Sequence, residues 1–396
     1  LGRVLAQAPR DEEAVLVVDI DLGLREDWLT LFPFFGTRRP DTYSALTQAI
    51  KNPRQPSGTG LHGGIPMTFV MPPEWAPHSA TWMGFPSAAY PEAHASNNDV
   101  WQAWAAVANI IVDHEPVNML CHPEQIPIAQ RLLSSAVVLH EFPIADAWLR
   151  DTGPTFVVTD NTLKAVDWRF NGWGDNTAFA WHNDAKIAAH IAKILEVECL
   201  QSSLTNEGGG LHVNGDGLVL LTDTVQLDPD RNPEWSRLQV ENEVHRLLGT
   251  DRAVWLPHGL WRDYAAHGTR GHVDIVACFN ESGSVLLHRQ QDRSHPDCER
   301  YALHQQMLEQ AELKYSDIAA PKVLEDHYGW VDYSYINHYV LNGAVVVPIF
   351  SDPHDGLACE QLAEAWPGRE IRIVDARVIF AMGGGIHCIT QQQPRI

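Results

Sequence analysis

Apolar residues in this chain come in short runs at strand spacing, separated by longer stretches in which they recur every three or four positions. The run Ala80-Thr81-Trp82-Met83-Gly84-Phe85, ended by Pro86, reads as a strand. Val100, Trp104, Val107, Ile110 and Ile111 then share one face of a helix over 99–112, with Asn98 or Asp99 available as its cap. A strand at 117–121, a helix at 126–134 and a strand at 136–139 follow. The pattern then repeats. Strands at 155–158 and 165–168 precede a helix at 183–195, and strands at 212–213 and 218–222 precede a helix at 235–248. Strands at 275–279 and 284–287 lead to a helix at 297–310, and a strand at 344–348 to a helix at 356–366.

This alternation predicts a mixed α/β fold of about five strand-strand-helix-strand units, each too small to stand alone. Such units pack edge to edge around an axis, with ligand groups gathered on loops near it. Two ordinary α/β domains packed together are the alternative. The catalytic-sized region begins at about Met67 and runs to the end, 67–396. Before it, 51–66 is rich in Asn, Pro, Gln, Ser, Gly and Thr without periodicity, the composition of a linker. Residues 1–50 hold one strand pattern, 14–20, which cannot bury its own apolar face.

The 396 residues are 45% hydrophobic, so a large core is expected and disorder is not. No run of eighteen apolar residues and no basic, apolar leader is present, which predicts neither a membrane span nor a signal peptide. Cysteines 121, 199, 278, 298, 359 and 388 form no C-x-x-C pair, which argues against a disulfide framework or a cysteine zinc site and fits a reducing cytoplasm. The formal charge of -22 repels nucleic acid and favours a small cationic ligand.

Four loops set chemically able groups beside Gly or Pro. They are Asp146 to Pro154, containing Asp151; Asn206-Glu207-Gly208-Gly209-Gly210; Gly271-His272-Val273-Asp274; and Gly383 to Cys388. Each alone has an ordinary explanation: a carboxylate pairing with Arg150, a solvated acid, a satisfied core histidine, a cysteine packed as a small hydrophobe. Together they supply a thiol, an imidazole and three carboxylates. Paired carboxylates receive a planar guanidinium through charge-assisted hydrogen bonds. The cation lowers the pKa of a nearby thiol, and the imidazole serves the leaving nitrogen and then water. Metal binding competes for His272 and Asp274, but no second histidine stands at ligand spacing, so neither metal nor cofactor is expected.

From Met71 onward the chain resembles the agmatine deiminases of the guanidine-modifying superfamily. The resemblance rests on Trp148-Leu149-Arg150-Asp151-Thr152-Gly153-Pro154, Phe170-Asn171-Gly172-Trp173-Gly174, Glu207-Gly208-Gly209, Gly271-His272-Val273-Asp274 and His387-Cys388-Ile389-Thr390-Gln391-Gln392-Gln393-Pro394. Leu227-Asp228-Pro229-Asp230-Arg231-Asn232-Pro233 and Asp352-Pro353-His354-Asp355 match as well. It implies a five-bladed pseudo-symmetric α/β propeller, with Cys388 as nucleophile and His272 as general acid and base. Asp151 and Asp274 would hold the guanidinium and Glu207 would help hold His272 and a substrate nitrogen, with Trp148, Trp173 and Asp263 also beside the substrate. The implied reaction passes through a covalent Cys thiouronium and turns agmatine into N-carbamoylputrescine and ammonia. A soluble cytoplasmic enzyme, as a homo-oligomer, is the expected setting.

Residues 6–14 and 38–43 are similar to the C-terminal end of N-carbamoylputrescine amidases of the nitrilase superfamily, which implies a fusion to an upstream amidase domain. Two departures stand out. The family usually has Asn at the position of Gly385, so a hydrogen bond must come from backbone or solvent. The loop Leu260 to Arg270 is longer than usual and lacks an acidic pair, which leaves Arg262 or Arg270 as a possible holder of a substrate carboxylate. Arginine, a methylated arginine or another guanidine therefore stays open as substrate, as does a non-catalytic guanidine-binding protein on the same fold.

Overall fold

Why the apolar runs are short becomes plain from the sheets they build. The computed structural model describes residues 69–87, 95–175, 180–265, 268–326 and 329–396. The chain divides into two units at Gly64/Ile65, and the strand expected at 14–20, the amidase-like words and the linker 51–66 lie outside the described residues.

The strands are β1 His78–Gly84, β2 Val117–Cys121, β3 Val138–Glu141, β4 Thr155–Thr159, β5 Thr162–Arg169, β6 Glu198–Thr205, β7 Leu211–Val213, β8 Leu218–Thr222 and β9 Arg252–Leu256. They continue with β10 Ala277–Phe279, β11 Val285–Arg289, β12 Tyr315–Ala319, β13 Glu325–Asp326, β14 Gly329–Trp330, β15 Tyr339–Leu341, β16 Ala344–Ile349, β17 Glu370–Asp375 and β18 Thr390–Pro394. Five sheets share one plan: a first strand antiparallel to a second, which runs parallel to a third reached through a helix. The sheets are β4-β5-β6, β7-β8-β9, β10-β11-β12, β15-β16-β17 and β18-β1-β2-β3. The last closes on itself in sequence terms, because β18 pairs antiparallel with β1 through Thr81↔Gln392 and Trp82↔Gln391. A two-stranded ribbon, β13-β14, completes the described strands.

The crossover helices are α1 Asn97–Ile111, α2 Ile187–Ile194, α3 Arg237–Leu248, α4 Asp297–Gln310 and α5 Asp355–Ala365. In α1 Val100, Trp104, Val107 and Ile111 of the expected stripe are buried together with Ala105 and Ala108, while Ile110 is half-buried. Its cap is Ser96, two or three residues earlier than expected, whose hydroxyl accepts from Asp99 N–H. The helix expected at 183–195 is shorter, since Asp184–Lys186 forms a 3-10 turn before α2. A capping box of Ser236 and Gln239 sets the start of α3.

Middle strands carry helix on one face and neighbouring structure on the other, so they read as continuous apolar runs instead of alternating ones. All five residues of β8 are buried, as are Ala344 to Pro348 of β16. Among the described residues no helix is long and apolar enough to cross a membrane.

Candidate active site

The first strand of each sheet is preceded by a tight turn, and these turns carry the polar groups. Leu149–Thr152 precedes β4 and holds Asp151, while Gly208–Gly210, entered from Glu207, precedes β7. Val273–Ile275, entered from His272, precedes β10 and holds Asp274. Asn337 stands before β15, and His387 and Cys388 before β18.

Hydrogen bonds tie these turns together in sequence order and then back to the start. Arg150 N–H donates to Cys388 O at 3.0 Å, and Gly209 N–H to Asp151 Oδ1 at 3.0 Å. His272 Nε2 meets Glu207 Oε2 at 3.1 Å, Asn337 Nδ2 donates to Asp274 O at 3.4 Å, and His387 N–H to Asn337 Oδ1 at 3.0 Å. Gly209 is demanded by this approach: a Cβ there would lie 2.6 Å from His272 Nδ1 and 2.9 Å from Asp151 Oδ1.

The thiol, the imidazole and the three carboxylates expected from four separate loops are thus brought to one place. Cys388 Sγ lies 3.5 Å from Asp274 Oδ2, and His272 Nδ1 lies 3.7 Å from Asp151 Oδ1. Cys388, His272, Asp151, Asp274 and Glu207 are all buried. Trp173 donates its indole N–H to Asp151 Oδ2 at 2.9 Å. Trp148 packs edge-on against Trp104 and against the glycine run before Cys388. Two buried atoms have no hydrogen-bond partner here, His272 Nδ1 and Asp274 Oδ1. A buried donor or acceptor left unmade is costly; a planar cation could satisfy the Asp274 oxygen, while the protonated His272 Nδ1–H needs an acceptor.

Asp263 is engaged differently from the expectation that set it beside the substrate. Its oxygens accept from Thr269 N–H and Oγ1–H, Gly271 N–H and His272 N–H at 2.6–3.1 Å, so it shapes the turn that presents His272. Arg150 does not pair with Asp151. Its guanidinium turns away to Glu74, at 3.4 Å, and to Gln391 and Gln392.

Each ionisation has a local cause. Burial alone would push His272 down, but Asp151, Glu207 and Asp274 outweigh it and hold its pKa up at about 9. Burial raises Asp151 to about 6 against the pull of His272. Glu207 is kept at about 2, because the buried Arg231 guanidinium at 3.0 Å and His272 overcome its desolvation. Asp274 stays below the usual carboxylate range despite burial, since His387 donates to it at 2.8 Å. The Cys388 thiol is pushed well above its ordinary value by burial and by Asp274 and Asp151.

Several of these partners were invisible in the chain. Glu74, which takes the other ring nitrogen of His387 at 2.8 Å, stands far away in the opening Pro-rich segment. Arg231 lay inside a recognised motif without a role. Asp184, which nothing in the sequence singled out, accepts from Ala145 and Asp146 N–H and so shapes the approach to Asp151. At Gly385 the backbone hydrogen-bonds the Cys388 sulfur, as expected, and the Asn337 amide stands beside it as well, with Nδ2 at 3.3 Å and Oδ1 at 3.6 Å.

Known proteins resemble this chain in sequence and fold. Residues 70–394 match the family model of Porphyromonas-type peptidyl-arginine deiminases. The chain is 52% identical over 344 residues to a Streptomyces coelicolor relative, covering 83% of this chain and 100% of that protein. It is 38% identical over 360 residues to the agmatine deiminase of Stutzerimonas stutzeri, covering 82% and 95%. The solved agmatine deiminase of Enterococcus faecalis superposes with a TM-score of 0.77 at 30% identity, over 83% of this chain and 96% of that one. With a family model spanning most of its length and a fold matched to solved members, the chain belongs to the Porphyromonas-type peptidyl-arginine deiminase family.

Proposed function

We propose that this chain is an agmatine deiminase. Asp151 and Asp274 receive the guanidinium, and the cation they hold draws the Cys388 thiol towards its thiolate by offsetting the neighbouring carboxylates. The sulfur attacks the guanidinium carbon and forms a C–S bond. His272, protonated, gives its proton to one nitrogen as the C–N bond breaks, and ammonia leaves. The same imidazole, now neutral, takes a proton from water, hydroxide adds to the thiouronium carbon, and the C–S bond breaks to return the thiolate. The product is N-carbamoylputrescine.

The observation that carries agmatine over arginine is the state of the two candidate carboxylate holders. Arg262 donates to Asp326 at 2.9 Å and to the Trp330 carbonyl. Arg270 pairs with Asp228 at 2.9 Å and Asp230 at 2.6 Å. Both are committed to acids of this chain, so an α-carboxylate would have to compete with these existing ion pairs to be held. Relatives named agmatine deiminase support the same substrate. The cyclic chain of hydrogen bonds through five equivalent turns, together with β18 pairing to β1, supports a five-bladed propeller with the reacting carbon on its axis.

Ammonia release from agmatine and from free arginine, measured side by side with Cys388→Ala, tests the reading. Agmatine should win clearly and the variant should be inert. Preference for arginine, or an active variant, would overturn it.

A further inference from the structure

His387 is the immediate neighbour of Cys388 in sequence, but its ring is engaged elsewhere. It is 3% exposed, and both ring nitrogens end on carboxylates: Nδ1 meets Asp274 Oδ2 at 2.8 Å, and Nε2 meets Glu74 Oε1 at 2.8 Å. A neutral imidazole carries one N–H, so a ring held between two ionised carboxylates carries two and is a cation. Burial works against both acids, but His387, His212 and Arg150 hold Glu74 well below the usual carboxylate range, and His387, His272 and Arg150 hold Asp274 down. The other groups around the ring fit this charge. Arg150 lies beyond Glu74, at 3.4 Å, and donates through Nε to His387 O at 3.3 Å. His212 Nδ1 accepts Phe279 N–H, so that ring presents Nε2–H to Glu74, 3.5 Å away. His338 accepts Trp366 N–H at Nε2 and donates Nδ1–H to Tyr335 O, which keeps it neutral. The clamp leaves Asp274 with one oxygen spent and one spare. Oδ2 is tied to His387 and lies 3.5 Å from Cys388 Sγ, while Oδ1 is buried without a partner.

We propose that His387 is a positioning residue: as an imidazolium gripped by Glu74, it pins Asp274 with Oδ1 free for the substrate guanidinium and offsets the carboxylate charge beside the Cys388 sulfur. This rests on Asp274 as guanidinium holder and Cys388 as nucleophile. Without the pin, Asp274 is free to turn its oxygens out of the substrate plane, and its whole charge faces the thiolate that has to form 3.5 Å away. Glu74 keeps the ring charged from its far side, which ties the opening Pro-rich segment to the chemistry.

The test compares the full chain with His387→Gln and Glu74→Gln. Glutamine at position 387 keeps a side-chain donor and the backbone bonds of that residue, and loses the charge. On agmatine it should lower kcat/KM about 10- to 100-fold. The pH midpoint of Cys388 alkylation by iodoacetamide, followed on the Cys388 peptide by mass spectrometry, should rise by about one unit, since the sulfur then faces an uncompensated Asp274. Glu74→Gln leaves His387 in place but removes one of the two carboxylates that keep it charged, so the ring loses its proton at lower pH. The alkaline limb of kcat/KM should then move down by about one unit, a change that a packing role does not produce. This variant stands in if His387→Gln fails to fold. A parent-like rate or an unmoved alkylation midpoint in His387→Gln, or an unmoved alkaline limb in Glu74→Gln, would overturn the proposal. A parent that releases no ammonia from agmatine would instead sink the assignment of function and leave the alkylation midpoint to judge His387.

Discussion

The Cys388 sulfur rests in a site hostile to its ionised form, and in the proposed mechanism the substrate's own charge offsets this. Burial and two carboxylates hold the thiol protonated, while His272 is held protonated by the same carboxylates. A pH profile of kcat/KM reads these ionisations in the free enzyme. Asp151 must be ionised to hold a cation, so the acid limb should rise through about pH 6. His272 must carry its proton to serve the leaving nitrogen, so the alkaline limb should fall through about pH 9. Replacing Asp151 by Asn should abolish the acid limb along with most of the activity.

At the scale of elements, the turns before the first strands are held from behind by buried ion pairs. Arg231 donates through Nε to both oxygens of Glu207 and through Nη1 to Asp228, and all three side chains are buried. Arg231→Met strands a buried carboxylate and should cost about 3–5 kcal/mol in urea-unfolding measurements. Glu207 is ionised down to about pH 2 when folded, against about 4.3 in an unfolded chain, so its contribution is complete above about pH 4.3 and fades as pH falls towards 2. In Arg231→Met this acid-side dependence should weaken. The elements themselves were largely legible, because β8 and β16 are unbroken apolar runs and α1 shows its stripe at helical spacing. Three glycines beside Glu207 and three before Cys388 announced their turns. Asn337 has no glycine next to it in sequence, because the glycine that makes room for it is Gly385, in another unit. Glu74, Arg231 and Asp184 act through partners that only folding brings near, and no local pattern encodes such a meeting.

Taken whole, the molecule is an acidic body processing a cation. With a formal charge of -22 it draws agmatine inward over distances longer than a hydrogen bond, so kcat/KM should fall as salt is raised while kcat stays level. The alternation of strands and helices predicted repeated units, and the shared plan of five sheets follows from it, but their mutual order could not be read from periodicity. The pairing of β1 with β18 joins strands separated by nearly the entire described chain. Such a contact forms late, since a long loop must be closed before it is rewarded. Cys388, the proposed nucleophile, sits directly before β18, so its placement depends on that seam. During renaturation from denaturant, recovery of helical circular dichroism should therefore run ahead of returning ammonia release, and the lag between the two traces would time the final stitch.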